Sequence, residues 1–371
     1  MSLYIPAPSP HTHGTLNVSQ VMLTVWLALL PATLYAIYLF GWPVLNLFLL
    51  TAATALIAEA ATLRLAGKEV RPGISDGSGL LTAWLLAMTL PPWAPWWIAV
   101  VGAIFAVVVG KQVFGGIGQN LFNPAMLGRV ALLIAFPLEM TTWVSPQPLF
   151  SSAAPGFIDS LAITFIGVPN LDAVSGATVL GHMKTELGRG LPLSEILPGF
   201  FSIGQGALGE MRGSLGETSG LLILLGGLFL LLRRIISWHI PVAMLGSVAV
   251  LATLMHFISP DRYADAMVHL LSGGLMLGAF FIATDPVGSP STPRGQLVFG
   301  AACGALIYII RTWAGFPEGV AFAVLLMNAA TPLIDHYFRP RIYGRDRDGN
   351  PLDYTQGKFA RRLGRYQGRK P

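Results

Sequence analysis

Apolar runs long enough to cross a bilayer recur along most of this chain, and they limit its fold class before any other feature is read. A helix needs roughly 17–22 apolar residues to span the hydrocarbon. Runs of that size lie near 20–40, 43–63, 79–98, 97–114, 123–141, 219–236, 239–258, 264–283, 296–313 and 317–336. With 53% hydrophobic and 11% charged residues among 371, and a mean hydropathy of +0.63, the chain has too little charge to solvate a soluble domain of its size. The expectation is an all-α membrane protein of about ten transmembrane helices. The first run begins near Gln20 with no Lys or Arg before it. It is a full span rather than a signal-peptide core, and is read as an uncleaved anchor. The third run is interrupted by "PPWAPWW" (91–97), where prolines end a helix and tryptophans favour the membrane interface. A re-entrant bend or a tight interfacial turn is expected there.

Positive charge sets the orientation, because short basic loops stay cytoplasmic. Arg64, Lys68 and Arg71 follow the second run, Lys111 the fourth, Arg233 and Arg234 the sixth, and Arg294 the eighth. Ten more basic residues fill the tail from Arg339 to Lys370. With ten spans these all fall on one side, together with both termini. The long connection at 142–218 then lies on the opposite face, which in a bacterial inner membrane is the periplasm. The chain divides into a first transmembrane repeat with a short cytoplasmic amino terminus (1–141), a periplasmic loop domain (142–218), a second transmembrane repeat (219–336) and a basic cytoplasmic tail (337–371). On a membrane protein such a tail reads as a positive-inside anchor, so no nucleic-acid partner is expected.

The two halves resemble each other. "SGLLTAWLLAMTLPP" (78–92) answers "SGGLMLGAFFIATDP" (272–286), and "LFNPAMLGRV" (121–130) answers "LLMNAATPLID" (325–335). Five spans separate the matching points, so one copy is inverted relative to the other and the fold is expected to be two inverted repeats of five. Shared small-residue packing composition is the competing explanation. Inverted-repeat folds place ligand and ion pathways at broken helices. That singles out Thr89, Pro91, Asn123 and Pro124 in one half, and Thr284, Asp285, Pro286, Asn328, Thr331 and Pro332 in the other. Ionisable residues within spans are costly and often functional. Glu59 is a candidate coupling or packing residue and Asp76 a further pathway candidate, while Arg129 and Asp285 are expected to snorkel to the interface.

Several chemistries find little support. The single cysteine, Cys303, allows no disulfide within the chain and no cysteine-held cluster, so redox chemistry would need an organic cofactor. His11 and His13 lack further ligands around them, and no metal is expected. "GGIGQN" (115–120) has neither the full dinucleotide fingerprint nor the lysine of a phosphate loop. It reads as a cytoplasmic turn opening a half-helix.

Within the external region, "DAVSGATVLGH" (172–182) stands out as small and polar. Val179, Leu180, Met183 and Leu187 recur at helical spacing after it, and Gly188 suits a C-cap. Ser175 or Thr178 is therefore a natural N-cap. Thr178 also offers a hydroxyl between small neighbours at a helix N-terminus, whose N–H groups and partial positive charge suit a phosphate, so a phosphoester there is chemically reasonable. His182, one turn on, is a possible neighbour of that phosphate.

"DAVSGAT" resembles the signal Asp-x-x-Ser-Gly-Ala-Thr, on which a flavin transferase uses FAD to esterify a threonine with FMN. That signal occurs in the family containing the B subunit of the sodium-pumping NADH:quinone reductase and the D subunit of the related Rnf complex. "SPHTHGTLNVSQVML", "SDGSGLLTAWLLAMTLPP", "GKQVFGGIGQNLFNPAM" and "FFIATDPVGSPSTPRGQ" are similar to stretches of both subunits. The short segment before the first span favours the Rnf type. The resemblance implies a covalent FMN on Thr178, with Asp172, Ser175, Gly176 and Ala177 serving transferase recognition. It also implies a noncovalent riboflavin in some members, and electron transfer coupled to Na⁺ or H⁺ movement. Partners would be the other complex subunits, among them a second covalent-flavin subunit, and the transferase during maturation. Glu59, Asp76, Thr89, Asn123, Thr284, Asp285 and Asn328 remain candidates for a pathway or second flavin. No catalytic residue is assigned, and the chain would be one subunit of a redox-driven translocase rather than a complete enzyme. A small-solute channel or transporter without flavin, and a purely structural scaffold, are the alternatives.

Overall fold

The computed structural model of the chain describes residues 17–152, 154–167, 175–217 and 219–340. Asp172, His11, His13 and all but the start of the basic tail lie outside the described residues. Among the described residues, five helices are long and apolar enough to cross a membrane: α1 (Val18–Phe40), α2 (Trp42–Leu65), α13 (His239–Ile258), α16 (Pro293–Trp313) and α17 (Val320–Tyr337). The chain is thus a multi-pass, predominantly helical membrane protein. Between α1 and α2 stands only Gly41, whose φ of 82° makes the reversal open to glycine.

Other apolar runs give shorter elements than expected. The 79–98 run yields α4 (Ser78–Thr89), reached through the single turn α3 (Val70–Ser75). At about 1.5 Å per residue, the twelve residues of α4 cover roughly 18 Å, well short of the hydrocarbon thickness. Leu90-Pro91-Pro92 ends it, and Trp93 Nε1 ties the bend to Phe40 O at 2.9 Å. The next element, α5 (Trp96–Ile104), continues as a π-helix over Phe105–Gln112. α6 (Pro124–Ala135) begins at a proline capped by Asn123, whose side chain accepts from Met126 N at 3.2 Å, and it stops before the turn α7 (Pro137–Met140). The 264–283 run also breaks, into α14 (Ala266–Leu271) and α15 (Leu275–Leu277), the latter extended by π-helical Gly278–Ile282. Pro332, expected to mark a break, sits inside the unbroken α17.

Small residues bring the long helices together. Gly300 and Gly304 of α16 face backbone carbonyls of α13, where a Cβ on Gly300 would lie 2.7 Å from Ile240 O and one on Gly304 would collide with Met244 O. This is the close approach that small residues four apart allow in lipid. Gly226 of α12 (Gly220–Leu232) likewise lies against Ala28 O of α1. Outside these helices, the region after α7 carries a two-residue antiparallel ladder, a departure from a purely α fold. It pairs β1 (Trp143–Val144) with β2 (Ser175–Gly176). α8 (Phe157–Phe165) lies between them in sequence, and α9 (Val179–Gly188), α10 (Leu193–Ile196) and α11 (Ile203–Leu208) follow. Val179, Leu180 and Met183 of α9 share a separate small core with Leu193, Ile196, Ala264 and Val268.

Candidate functional site

The Ser-Gly-Ala-Thr stretch forms a junction between strand and helix. Ser175 and Gly176 pair with Val144 and Trp143, and Thr178 caps α9 in extended backbone. Its Oγ1 accepts from Gly181 N at 3.1 Å, and its carbonyl accepts from His182 N at 2.8 Å. Thr178 is only 7% exposed, so the hydroxyl is less open than its small neighbours suggested. The cap turns the side chain back over the first helical turn. Ala177 beside it is exposed. A Cβ on Gly176 would collide with the Arg212 guanidinium. Arg212 Nε in turn donates to Ser145 Oγ at 2.7 Å. A cavity of about 220 Å³ opens alongside, lined by Ala177, Val179, Phe200, Phe201 and Arg212 among others.

Two further contacts fix α9. His182 stacks on Phe200 with ring centroids 4.1 Å apart, which accounts for its place without a phosphate. Lys184 Nζ donates to carbonyls at the end of α16: Arg311 O at 3.2 Å, Phe316 O at 3.0 Å and Ala314 O.

Within the membrane helices the structure joins some of the predicted residues and separates others. Glu59 (1% exposed) and Lys111 (3% exposed) form a buried ion pair. Lys111, taken from the sequence as a loop charge, is folded inward. Its Nζ also donates to Ser78 Oγ at 2.5 Å, and that hydroxyl donates to Asp76 Oδ1 at 2.5 Å. Gln112 Nε2 donates to Glu59 Oε1 at 2.8 Å, while Glu59 Oε2 is buried without a partner among the described residues. Asn123 N donates to Asn328 Oδ1 at 3.1 Å, and Asn328 Nδ2 donates to Gly288 O at 2.8 Å, so the two asparagines do meet across the halves. Ser78, Lys111, Asn123, Thr284 and Asp285 line one inner cavity of about 110 Å³. Thr89 lies elsewhere, on a small cavity it shares with Arg129, Glu217 and Glu318.

That second cluster was missed from the sequence. Arg129, expected to snorkel, is 8% exposed and rests over the Trp143 ring at 5.9 Å. Glu217, in the single 3₁₀ turn Leu215–Glu217, accepts from Ser214 N at 3.0 Å and Ser214 Oγ at 2.9 Å. Burial, followed by the Glu318 carboxylate, pushes its carboxyl up to about 7, against the pull of Ser214 and Arg311. Arg311 pairs with Glu318 at 2.5 Å. The only sequence signal for these residues was charge beside apolar runs. Arg311 and Glu318 are only seven residues apart, but they flank the loop between α16 and α17, where no helical spacing pairs them, and Arg129 and Glu217 come from segments distant from both. Among the described residues no group of three or more His, Cys, Asp or Glu is placed to hold a metal ion.

Comparison with known proteins supplies the family. Residues 5–344 match the NQR2, RnfD, RnfE family. The D subunit of an ion-translocating oxidoreductase complex from Stutzerimonas stutzeri is 58% identical over 347 residues, covering 94% of this chain and 97% of the relative. The protein of the same description from Halorhodospira halophila is 56% identical over 343 residues, covering 92% and 96%. The one from Pectobacterium atrosepticum is 48% identical over 353 residues, covering 92% and 99%. The match spans nearly the whole of each relative, so the chain belongs to the NQR2, RnfD, RnfE family.

Proposed function

We propose that this chain is the flavin-bearing membrane subunit of an Rnf-type ion-translocating oxidoreductase complex, and that it relays electrons through FMN esterified to Thr178. The observation that carries the reading is the junction at Ser175–Thr178, a strand end that delivers one threonine to the N-cap of a ten-residue helix. Loading forms the Thr178 Oγ1–phosphorus bond as the pyrophosphate of FAD breaks, with AMP leaving and the hydroxyl proton released. The residues present fit such a group. Gly176 leaves a space filled by a guanidinium, the first-turn N–H groups of α9 favour an anion, and the adjoining cavity has aromatic walls. Bound there, the flavin supplies reversible electron transfer, while Thr178 tethers it and α9 holds the tether in place. Because the cap is buried, the transferase must act on Thr178 before the cap closes or must open it.

In this reading the subunit sits in a bacterial inner membrane with both termini cytoplasmic. It consists of inverted repeats at 1–141 and 219–336, a periplasmic flavin domain at 142–218 and a cytoplasmic tail at 337–371. The short helix that opens at Ser78-Gly79 and the one that follows Ser272-Gly273, which continues as a π-helix to Ile282, support the repeat. The other complex subunits, one with its own covalent flavin, exchange electrons with it, and Na⁺ or H⁺ is the coupled ion. Glu59, Asp76, Asn123, Thr284, Asp285 and Asn328 are pathway candidates because they gather around or next to the inner cavity. No step is assigned to a riboflavin at that cavity of about 110 Å³.

The test is a denaturing gel viewed under ultraviolet light, using protein from cells that also express the transferase. The band is expected to fluoresce in the wild type and to be dark in Thr178→Ala. A dark wild-type band overturns the reading in favour of a solute channel or a scaffold without flavin.

A further inference from the structure

Against Gly176, two residues before Thr178, stands a cation with most of its hydrogen-bonding capacity unused among the described residues. Arg212 is half-buried. Its Nε is fixed by Ser145 Oγ at 2.7 Å, yet its Nη groups take no partner among the described residues, and no carboxylate there lies within ion-pair distance. Glu210, exposed at the rim of the same cavity, stays outside that range. The guanidinium lies where a side chain on Gly176 would be. Gly176 belongs to the strand and Thr178 is extended, and two residues of extended chain cover only about 7 Å.

A half-buried guanidinium that clamps a strand uses one donor, as the Ser145 bond does here. The four Nη hydrogens remain, in the planar fork that matches two oxygens of a phosphate. We propose that Arg212 is the positioning residue for the phosphodiester on Thr178, holding its non-bridging oxygens at the mouth of the cavity walled by Phe200 and Phe201. This rests on the flavin reading above. It also gives Gly176 a physical role within the motif. Any larger residue there would displace the guanidinium from the strand, whatever its effect on the transferase.

The test uses the full chain from cells expressing the transferase, as wild type, Arg212→Gln and Arg212→Lys. In-gel fluorescence reads loading, and ³¹P resonance in a phosphorus-free detergent reads the environment of the phosphate. The wild-type resonance is expected to move on denaturation, and the native Arg212→Gln resonance to lie already at the denatured position, with Arg212→Lys between them. Loss of loading in Arg212→Gln with rescue in Arg212→Lys also supports the proposal, since charge is then what is needed. Loaded Arg212→Gln with a wild-type native resonance overturns it while leaving the flavin reading intact. Loss of loading in both variants, with unchanged elution and melting of the folded protein, overturns it too, because shape rather than charge is then recognised. A dark wild-type band overturns both.

Discussion

The two short membrane helices α4 and α15 begin alike and are held differently. α4 opens at Ser78-Gly79, and α15 follows Ser272-Gly273. At each glycine a carboxylate occupies the space a Cβ would need, Glu59 at Gly79 and Glu318 at Gly273. Each carboxylate is paired with a cation from the last turn of a long element, Lys111 after α5 and Arg311 in α16. The differences lie in satisfaction. Arg311 spreads its fork over His269 O at 2.7 Å, Ser272 O at 3.0 Å and Glu318, and Glu318 keeps 28% side-chain exposure. Lys111 is a compact ammonium between Glu59 and Ser78, buried, and Glu59 Oε2 has no partner among the described residues. Arginine's planar fork bonds several acceptors at once, whereas lysine's ammonium is a compact point charge. The α15 end is therefore a lock, and the α4 end is an ion pair with an unsatisfied acceptor.

If that contrast holds, the α4 end should be the most sensitive to removal of one partner. Lys111→Met leaves the Glu59 carboxylate buried and unpaired, and should cost about 3–5 kcal/mol of stability. The double variant Glu59→Leu with Lys111→Leu should cost less than either single change, as read by apparent melting in detergent. A double variant as damaged as the singles would show that the unpaired charge is not what makes the α4 end sensitive.

Next in size is a pH effect beside the α15 lock. Glu217 holds its proton to about pH 7 in the folded chain, against a reference of 4.5. Between these values the unfolded state ionises first, so stability should fall as pH rises from about 4.5 to 7 and level off above. The full difference is on the order of 3 kcal/mol. Glu217→Gln should flatten the melting temperature across that window, and an unchanged slope would assign it to another group. Smaller again, Arg311→Lys keeps the charge but loses the fork and should cost about 2 kcal/mol. It is read as a lower melting temperature that Glu318→Gln lowers little further.

The sequence revealed the elements of this comparison but not their pairing. Long apolar runs showed α1, α2, α13, α16 and α17 because periodic burial in lipid needs no partner to be recognised. The breaks at Pro91 and Pro124 were legible from proline chemistry, whereas Pro332 was not a break, since α17 accommodates it. Lys111 looked like a loop charge and Arg129 like a snorkelling one, because what draws each inward is contributed by distant segments, Glu59 of α2 for one and Trp143 of β1 for the other. Thr178 was legible as a cap, and its burial was not. Arg212 carried no motif, and only its contact with Gly176 identifies it.

The lock at α15 extends, through Lys184, to the helix that Thr178 caps. Lys184 Nζ donates to the carbonyls of Arg311, Ala314 and Phe316, the usual way a lysine satisfies a helix C-terminus. Lys184→Met strands these acceptors and should cost about 1 kcal/mol. The loss should appear locally, as faster hydrogen exchange over Val179–Gly188 with little change in α2, which packs against α4, α5 and α8 rather than against α9 or α16. Lys184→Arg, long enough to reach the same carbonyls, should restore most of the protection. If exchange rises equally across α2 and α9, Lys184 supports the whole fold. The separation between an α4 end with an unsatisfied acceptor and an α15 end that also anchors the Thr178 helix would then fail.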